Sequence, residues 1–437
     1  MLTRRRLGWT VVAVVAVVAA VATPTTILLL PGPRHHPKTR RPAFERMPAV
    51  AATFLAQSYA PGAEAELVLW KPQRSFTVQF FRVDATTHGW SNTTMQGTAV
   101  SPVYPFGATS SHRPIDLPIG DWPTGLYYAQ LSTGRLTGYA IFVVRPRRLG
   151  QHRVLVVMPS YTWQAYNFRD DNHDGLGDTW YDGGALTVDL ERPFMARGVP
   201  PHFTRYDLPF LNWLAETGKE VDFATDGDLD RVGSGAALHR AYTLIVFPGH
   251  DEYVTAREYD AVTGYRNLGG HLMFLSADAF YWRVALRNGT ITRTGPWRDL
   301  GRPEASLVGI QLAGNDRGAH EGPWHVVDAT RWPWMFAGLQ LGPGGTFGSG
   351  GIEISHVAPG SPPGTTVLAE IPGLIGGSSA QMTYYETPAG AKVFAAGAFT
   401  LAGSRDPNSR RLLQNLWDHL APPAARATVV NARGSSR

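Results

Sequence analysis

Three consecutive ionisable residues, His250, Asp251 and Glu252, follow directly on the apolar run Leu244-Ile245-Val246-Phe247-Pro248-Gly249. A short unbroken apolar run reads as a parallel strand covered on both faces. In an open α/β sheet, ligands bind outside the carboxyl ends of such strands. Nitrogen and oxygen donors gathered there suit metal binding or acid/base work. Residues two apart on extended backbone face the same side. His250 and Glu252 are therefore expected to hold one ion, with Asp251 turned inward to orient a neighbour. The plainer alternative is a strand-to-helix junction in which Asp251 or Glu252 caps a helix starting near Tyr253. Capping uses one acid and leaves the other ionisable groups unexplained.

A second apolar run, Val154–Met158, ends in Ser160-Tyr161-Thr162-Trp163-Gln164-Ala165-Tyr166-Asn167 and belongs on the same rim. Its aromatics suit a pocket wall or core. Just beyond it, Asp170-x-Asn172-x-Asp174-Gly175-x-x-Asp178 has the spacing of a calcium loop, where alternate side-chain oxygens converge and Gly makes the sharp turn. Leu176 would add its carbonyl. The twelfth position is Tyr181 instead of the bidentate Glu, and a solvated acidic loop is the competing reading.

The elements that must position these groups can be traced along the chain. Ala65–Trp70, Ser75–Val83, Tyr127–Leu131 and Leu136–Val144 are short β-branched and aromatic runs with turn residues between them, so residues 50–146 read as a β-sandwich. Beyond Arg145-Pro146 strands and helices alternate. Val154–Met158 is followed by a helix over Phe210–Gly218, a strand at Val221–Ala224, a strand at Tyr242–Pro248, a helix over Tyr253–Leu268 and a strand at His271–Ser276. This spacing predicts a doubly wound α/β sheet within residues 147–422. After Trp297 the order loosens, with late strands at Thr383–Glu386 and Val393–Ala396 and a closing helix at Ser409–Leu420.

Composition narrows the function classes. With no Cys, disulfides, thiolate nucleophiles, Cys-ligated zinc and a lipobox are all excluded. Seven of the 40 basic residues and none of the 35 acids lie in residues 1–42, so the body carries 33 basic against 35 acidic groups and has no nucleic-acid footprint. Arg4-Arg5-Arg6 before the apolar stretch Leu7–Ala22 makes residues 1–30 a signal peptide or membrane anchor, with a twin-arginine resemblance. Residues 31–49 form a Pro/basic linker and 423–437 a disordered tail. An exported protein follows, touching membrane only through its N-terminal segment.

Four segments together resemble the large (beta) subunit of N,N-dimethylformamidase and its relatives: Ser160–Asn167, Val221–Asp226, Gly249–Tyr253 and Phe280-Tyr281-Trp282. Tyr384–Gly403 and the closing helix agree, and the resemblance spans about residues 60–420. It implies a β-sandwich followed by a glutamine-amidotransferase-like α/β domain, without the amidotransferase Cys. It also implies one iron held by His250, Glu252, Tyr166 and a second Tyr, Tyr127 or its neighbour Tyr128. Two departures affect the pocket mouth: Val254 where the family often has Trp, and an insertion over Arg169–Gly184.

The expectation is a metal-dependent hydrolase of an amide or related C–N bond, with iron as cofactor and calcium in the insertion. Glu252 and Asp251 would act in catalysis, and Trp163, Asn167, Tyr253 and Trp282 would line the pocket for a small-molecule or polymer substrate. The alternative is a non-catalytic envelope protein that binds a polysaccharide or protein partner through Trp324, Trp332 and Trp334. Isolated histidines such as His271, His320, His325 and His356 read as structural.

Overall fold

Strand alternation organises the N-terminal part of the structure, a computed structural model that describes residues 50–421 apart from 87–90, 92, 135 and 182–184. The leader, the linker and the tail lie outside the described residues. Among the described residues no helix is long and apolar enough to cross a membrane. A three-stranded sheet (Ala52–Phe54, Glu64–Leu69, Pro114–Pro118) faces a six-stranded one built around the hairpin Gly125–Thr133 and Leu136–Val144. Leu67, Phe80, Tyr127, Ala129 and Phe142 fill the space between the two sheets. The alternate hairpin residues Leu126, Tyr128, Tyr139 and Val143 face the other way and pack on the rest of the molecule. The hairpin is therefore apolar on both faces.

Five short strands run parallel in the order Asp222–Thr225, Val154–Met158, Leu244–Phe247, His271–Phe274 and Lys392–Ala395. Val156, Val246 and Met273 join one core, while Val157, Phe247 and Phe274 join another. Helices Leu208–Glu216 and Pro407–Leu420 cover the first face, and Gly235–Ala241 and Ala256–Asn267 the second.

Two features depart from the sequence reading. Tyr253 does not begin a helix: Tyr253–Thr255 pairs in parallel with Trp282–Arg287, and Thr255 caps a helix that starts at Ala256. Neither Asp251 nor Glu252 is that cap. The main sheet also does not loosen after Trp297. It continues through antiparallel strands Ser378–Glu386, Thr366–Ile375, Glu321–Val326, Thr346–His356 and Gln311–Asn315. Glycines hid the strand Thr346–His356, because Gly weakens any strand signal. They are there for close approach: a Cβ on Gly351 would stand 2.4 Å from the His320 carbonyl oxygen.

Candidate metal centre

The chain leaving Leu244–Phe247 is pinned at every step. A Cβ on Gly249 would lie 1.9 Å from Asp207 Oδ1, so only Gly fits against this buried acid. Ser276 Oγ donates to the Gly249 carbonyl at 2.6 Å. The Glu252 and Tyr253 amides donate to Thr162 Oγ1 at 3.1 and 3.3 Å. The Phe280 and Trp282 amides donate to the carbonyls of Asp251 and Glu252. Two parallel strand ends and the small sheet thus fix His250 and Glu252 without help from their own side chains.

Those side chains meet two acids from elsewhere. His250 Nε2 lies 3.3 Å from Glu252 Oε2, 3.2 Å from Glu353 Oε2 and 3.9 Å from Asp278 Oδ2. Ligand atoms of His250, Glu252 and Asp278 all fall within 4.8 Å of one another. Tyr166 donates its phenol proton to the Glu252 carboxylate, and Tyr253 donates to Tyr166 at 3.4 Å. None of the four ionisable residues is more than 8% exposed. The walls are aromatic: Phe399 stands edge-on to the imidazole at 4.8 Å, and the insertion brings Tyr181 against Tyr166 at 5.3 Å.

Burying three carboxylates together is costly unless positive charge joins them. Burial, resisted by His250 and reinforced by Glu353, pushes Glu252 up to about 7. Asp278 is driven well above the carboxylate range by burial and then by Glu252. Burial opposes charge on His250, but Glu353, Asp278 and Glu252 outweigh it and raise its pKa. Tyr166 is held as a neutral phenol by burial and the neighbouring anions. Despite the short separations, His250 Nε2, Glu353 Oε2 and Asp278 Oδ1 find no hydrogen bond of proper geometry. Converging carboxylates around one nitrogen, with His250 Nε2 and Glu353 Oε2 unpartnered among them, are hard donors that fit a hard cation.

Asp278 and Glu353 escaped the sequence reading for different reasons. Asp278 follows the parallel strand His271–Phe274, so the strand-end rule that selected His250 could have found it. It sits at φ 54°, a conformation uncommon outside Gly. Glu353 comes from the unforeseen strand Thr346–His356. Register shifts there, and the neighbouring Ile352 has φ 73°, so a bulge aims Glu353 inward. Asn315 donates to its other oxygen.

Several expected residues stand elsewhere. The structure does not bring Tyr127 to the cluster: its ring stacks between Trp122 and Phe142 in the sandwich core, and its hydroxyl donates to the Pro123 carbonyl at 2.8 Å. Tyr128, on the opposite face of the same strand, stacks on Phe81. Trp163 is core, donating to Asp207 at 3.2 Å, and the Asn167 amide is used by Gln164, Pro193 and Met195. Trp282 is half-buried beneath the Arg293 guanidinium, and of the four pocket candidates Tyr253 reaches Tyr166. Asp251 is pushed well above the carboxylate range by burial and by Asp226 and Asp207, and both its oxygens are buried without a partner. In the insertion, Asp170, Asn172, Asp174 and Asp178 accept backbone amides of their own loop, closed by Gly175 at φ 82°. Trp324 is fully buried, while Trp332 and Trp334 pack edge-on to Tyr384 and form no open sugar face.

Comparison with known proteins bears on the whole arrangement. The N,N-dimethylformamidase beta subunit-like, C-terminal family model matches residues 110–410. The N,N-dimethylformamidase beta subunit of Alcaligenes sp is 27% identical, with 45% of this chain and 34% of that one covered. That of Paracoccus aminophilus is 25% identical, with 63% and 49% covered. The chain thus spans half or less of the length of these curated relatives. A solved Paenibacillus cycloisomaltooligosaccharide glucanotransferase overlays 80% of this chain and 69% of its own at 7% identity, but its TM-score of 0.18 carries no information on fold. With residues 110–410 matched, the chain belongs to the N,N-dimethylformamidase beta subunit-like family.

Proposed function

We propose that the chain is a metal-dependent hydrolase of an amide or related C–N bond in a small molecule, with iron held by Tyr166, His250 and Glu252 and with Asp278 completing the set. The observation that carries this reading is the buried convergence of Glu252, Glu353 and Asp278 carboxylates on the imidazole of His250, where His250 Nε2 and Glu353 Oε2 are left without a hydrogen bond. The name of the relatives, a dimethylformamidase subunit, supports the C–N bond class. When bound, the cation supplies Lewis acidity toward a carbonyl oxygen and acidifies water.

The chain's own residues account for the rest. Glu353 Oε2 has no hydrogen-bonded neighbour and is placed to take a proton from water entering beside His250. The proton that Glu353 takes up is the one it can return to a departing amine, while His250 Nε2, which faces the acids, would be the unprotonated nitrogen that holds the cation. Tyr181, Phe399 and Tyr253 exclude bulk water and favour a substrate with an apolar body. The glutamine-amidotransferase-like assignment of the parallel core, calcium in the insertion and export by the N-terminal segment belong to the same proposal.

Metal analysis of the purified chain tests it. One equivalent of iron, a visible phenolate charge-transfer band and amidase activity are expected, and Glu252→Gln should remove all three while sparing the melting temperature. Colourless protein without iron, or Glu252→Gln with full activity, refutes the reading.

A further inference from the structure

Away from the metal cluster, shape and charge agree at a second place. The linker Arg145–Leu149 leads from the sandwich strand Leu136–Val144 to the parallel strand Val154–Met158. Beside it lies a cavity of about 220 Å³ whose floor is Leu155, Phe223, Leu229, Leu238 and Tyr242. Every floor residue is at most 9% exposed, so the apolar surface is continuous with the core. The lining also carries four guanidinium groups, those of Arg145, Arg147, Arg148 and Arg231.

Three of the four are engaged. Arg145 donates to the Ser58 carbonyl at 3.1 Å, Arg147 pairs with Asp121 at 2.6 Å and Arg231 with Asp228 at 2.6 Å. Arg148 is exposed and, among the described residues, its guanidinium engages no acceptor. The local acids are already used. Asp228 also serves Ser58 and Thr225, and Asp222 accepts the Gln151 and His152 amides and the Tyr242 hydroxyl. An apolar cleft with one free, fork-shaped cation and no acid left to neutralise it is complementary to an anion with an apolar body.

We propose that this cavity binds a small organic carboxylate, its tail on the Phe223–Leu238 floor and its carboxylate on Arg148. The volume lies below the roughly 300–1,000 Å³ of pockets for drug-sized ligands, which limits the occupant to about the size of hexanoate. The site is separate from His250 and Glu252, so it stands or falls independently of the hydrolase reading.

Titration calorimetry of the full chain at constant ionic strength, with sodium hexanoate and with hexan-1-ol, is the test. Hexanoate should bind saturably, with one molecule per chain. Hexan-1-ol lacks the charge and should bind at least about tenfold more weakly. Arg148→Glu should weaken hexanoate by a similar factor, leaving melting temperature and metal content unchanged because the side chain is exposed. Val232→Trp, filling the cavity from its half-buried edge, should abolish binding. No saturable heat, equal affinity for the alcohol, or hexanoate binding indifferent to both substitutions overturns the proposal.

Discussion

Tyr127→Phe separates what the family resemblance implies from what strand alternation dictates. A metal-ligating Tyr127 would take the iron with it when its oxygen is removed. In the structure that oxygen makes one hydrogen bond, to the Pro123 carbonyl at 2.8 Å, and burial pushes the phenol up to about 12. The ring remains stacked in either variant, and Pro123 is exposed, so its carbonyl regains water. The loss is then the net value of one hydrogen bond, about 1 kcal/mol. Unfolding entropy of about 2.1 cal/mol/K per residue over roughly 370 residues is about 0.8 kcal/mol/K, so the melting temperature should fall by only about 1–2 °C. Tyr166→Phe removes the hydroxyl that meets Glu252 and Tyr253, and should lose iron and the visible band together. The assay is iron content, absorption spectrum and scanning calorimetry on both variants side by side. Iron-free Tyr127→Phe beside iron-replete Tyr166→Phe would refute the assignment and require the sandwich strand to reach the cluster.

Three further outcomes follow from other parts of the molecule. Millimolar calcium should raise the melting temperature over chelator-treated protein, and Asp174→Ala should cancel the difference; equal melting with and without calcium would leave an ordinary acidic loop. His271 is held down to about 4 by burial, Lys392 and His419, and its Nδ1 accepts the Lys392 amide at 3.2 Å. Its contribution is therefore whole above about pH 6.5 and lost as pH falls toward 4, so His271→Gln should melt with about 1–2 °C less acid sensitivity than the parent. Gly198 combines φ 93° with a Cβ position 1.8 Å from the Tyr139 carbonyl oxygen. Gly198→Ala should cost about 3 kcal/mol or more and lower the melting temperature by several degrees, whereas unchanged melting would mean the loop yields freely.

What the sequence determined by itself was local. The run Leu244–Phe247 was legible because a strand buried on both faces needs no polar residue, and His250 and Glu252 stood out as ionisable groups where such a strand must end. The absence of Cys by itself excludes disulfides, thiolate nucleophiles and Cys-ligated zinc. Period-two alternation was also present in Gly125–Thr133, but both faces of that strand are apolar, so residue types could not say whether Tyr127 or Tyr128 faces the α/β part. The second sheet decided it by packing on the Tyr127 side. Glu353 was beyond reach for a stronger reason. It lies 101 residues from Glu252, in a glycine-rich strand whose bulge, not its sequence pattern, turns the carboxylate inward. A metal-binding cluster requires side chains to converge in space. Strand ends can be read one at a time from a chain, but their convergence is set by sheet order and register, which only the folded structure contains.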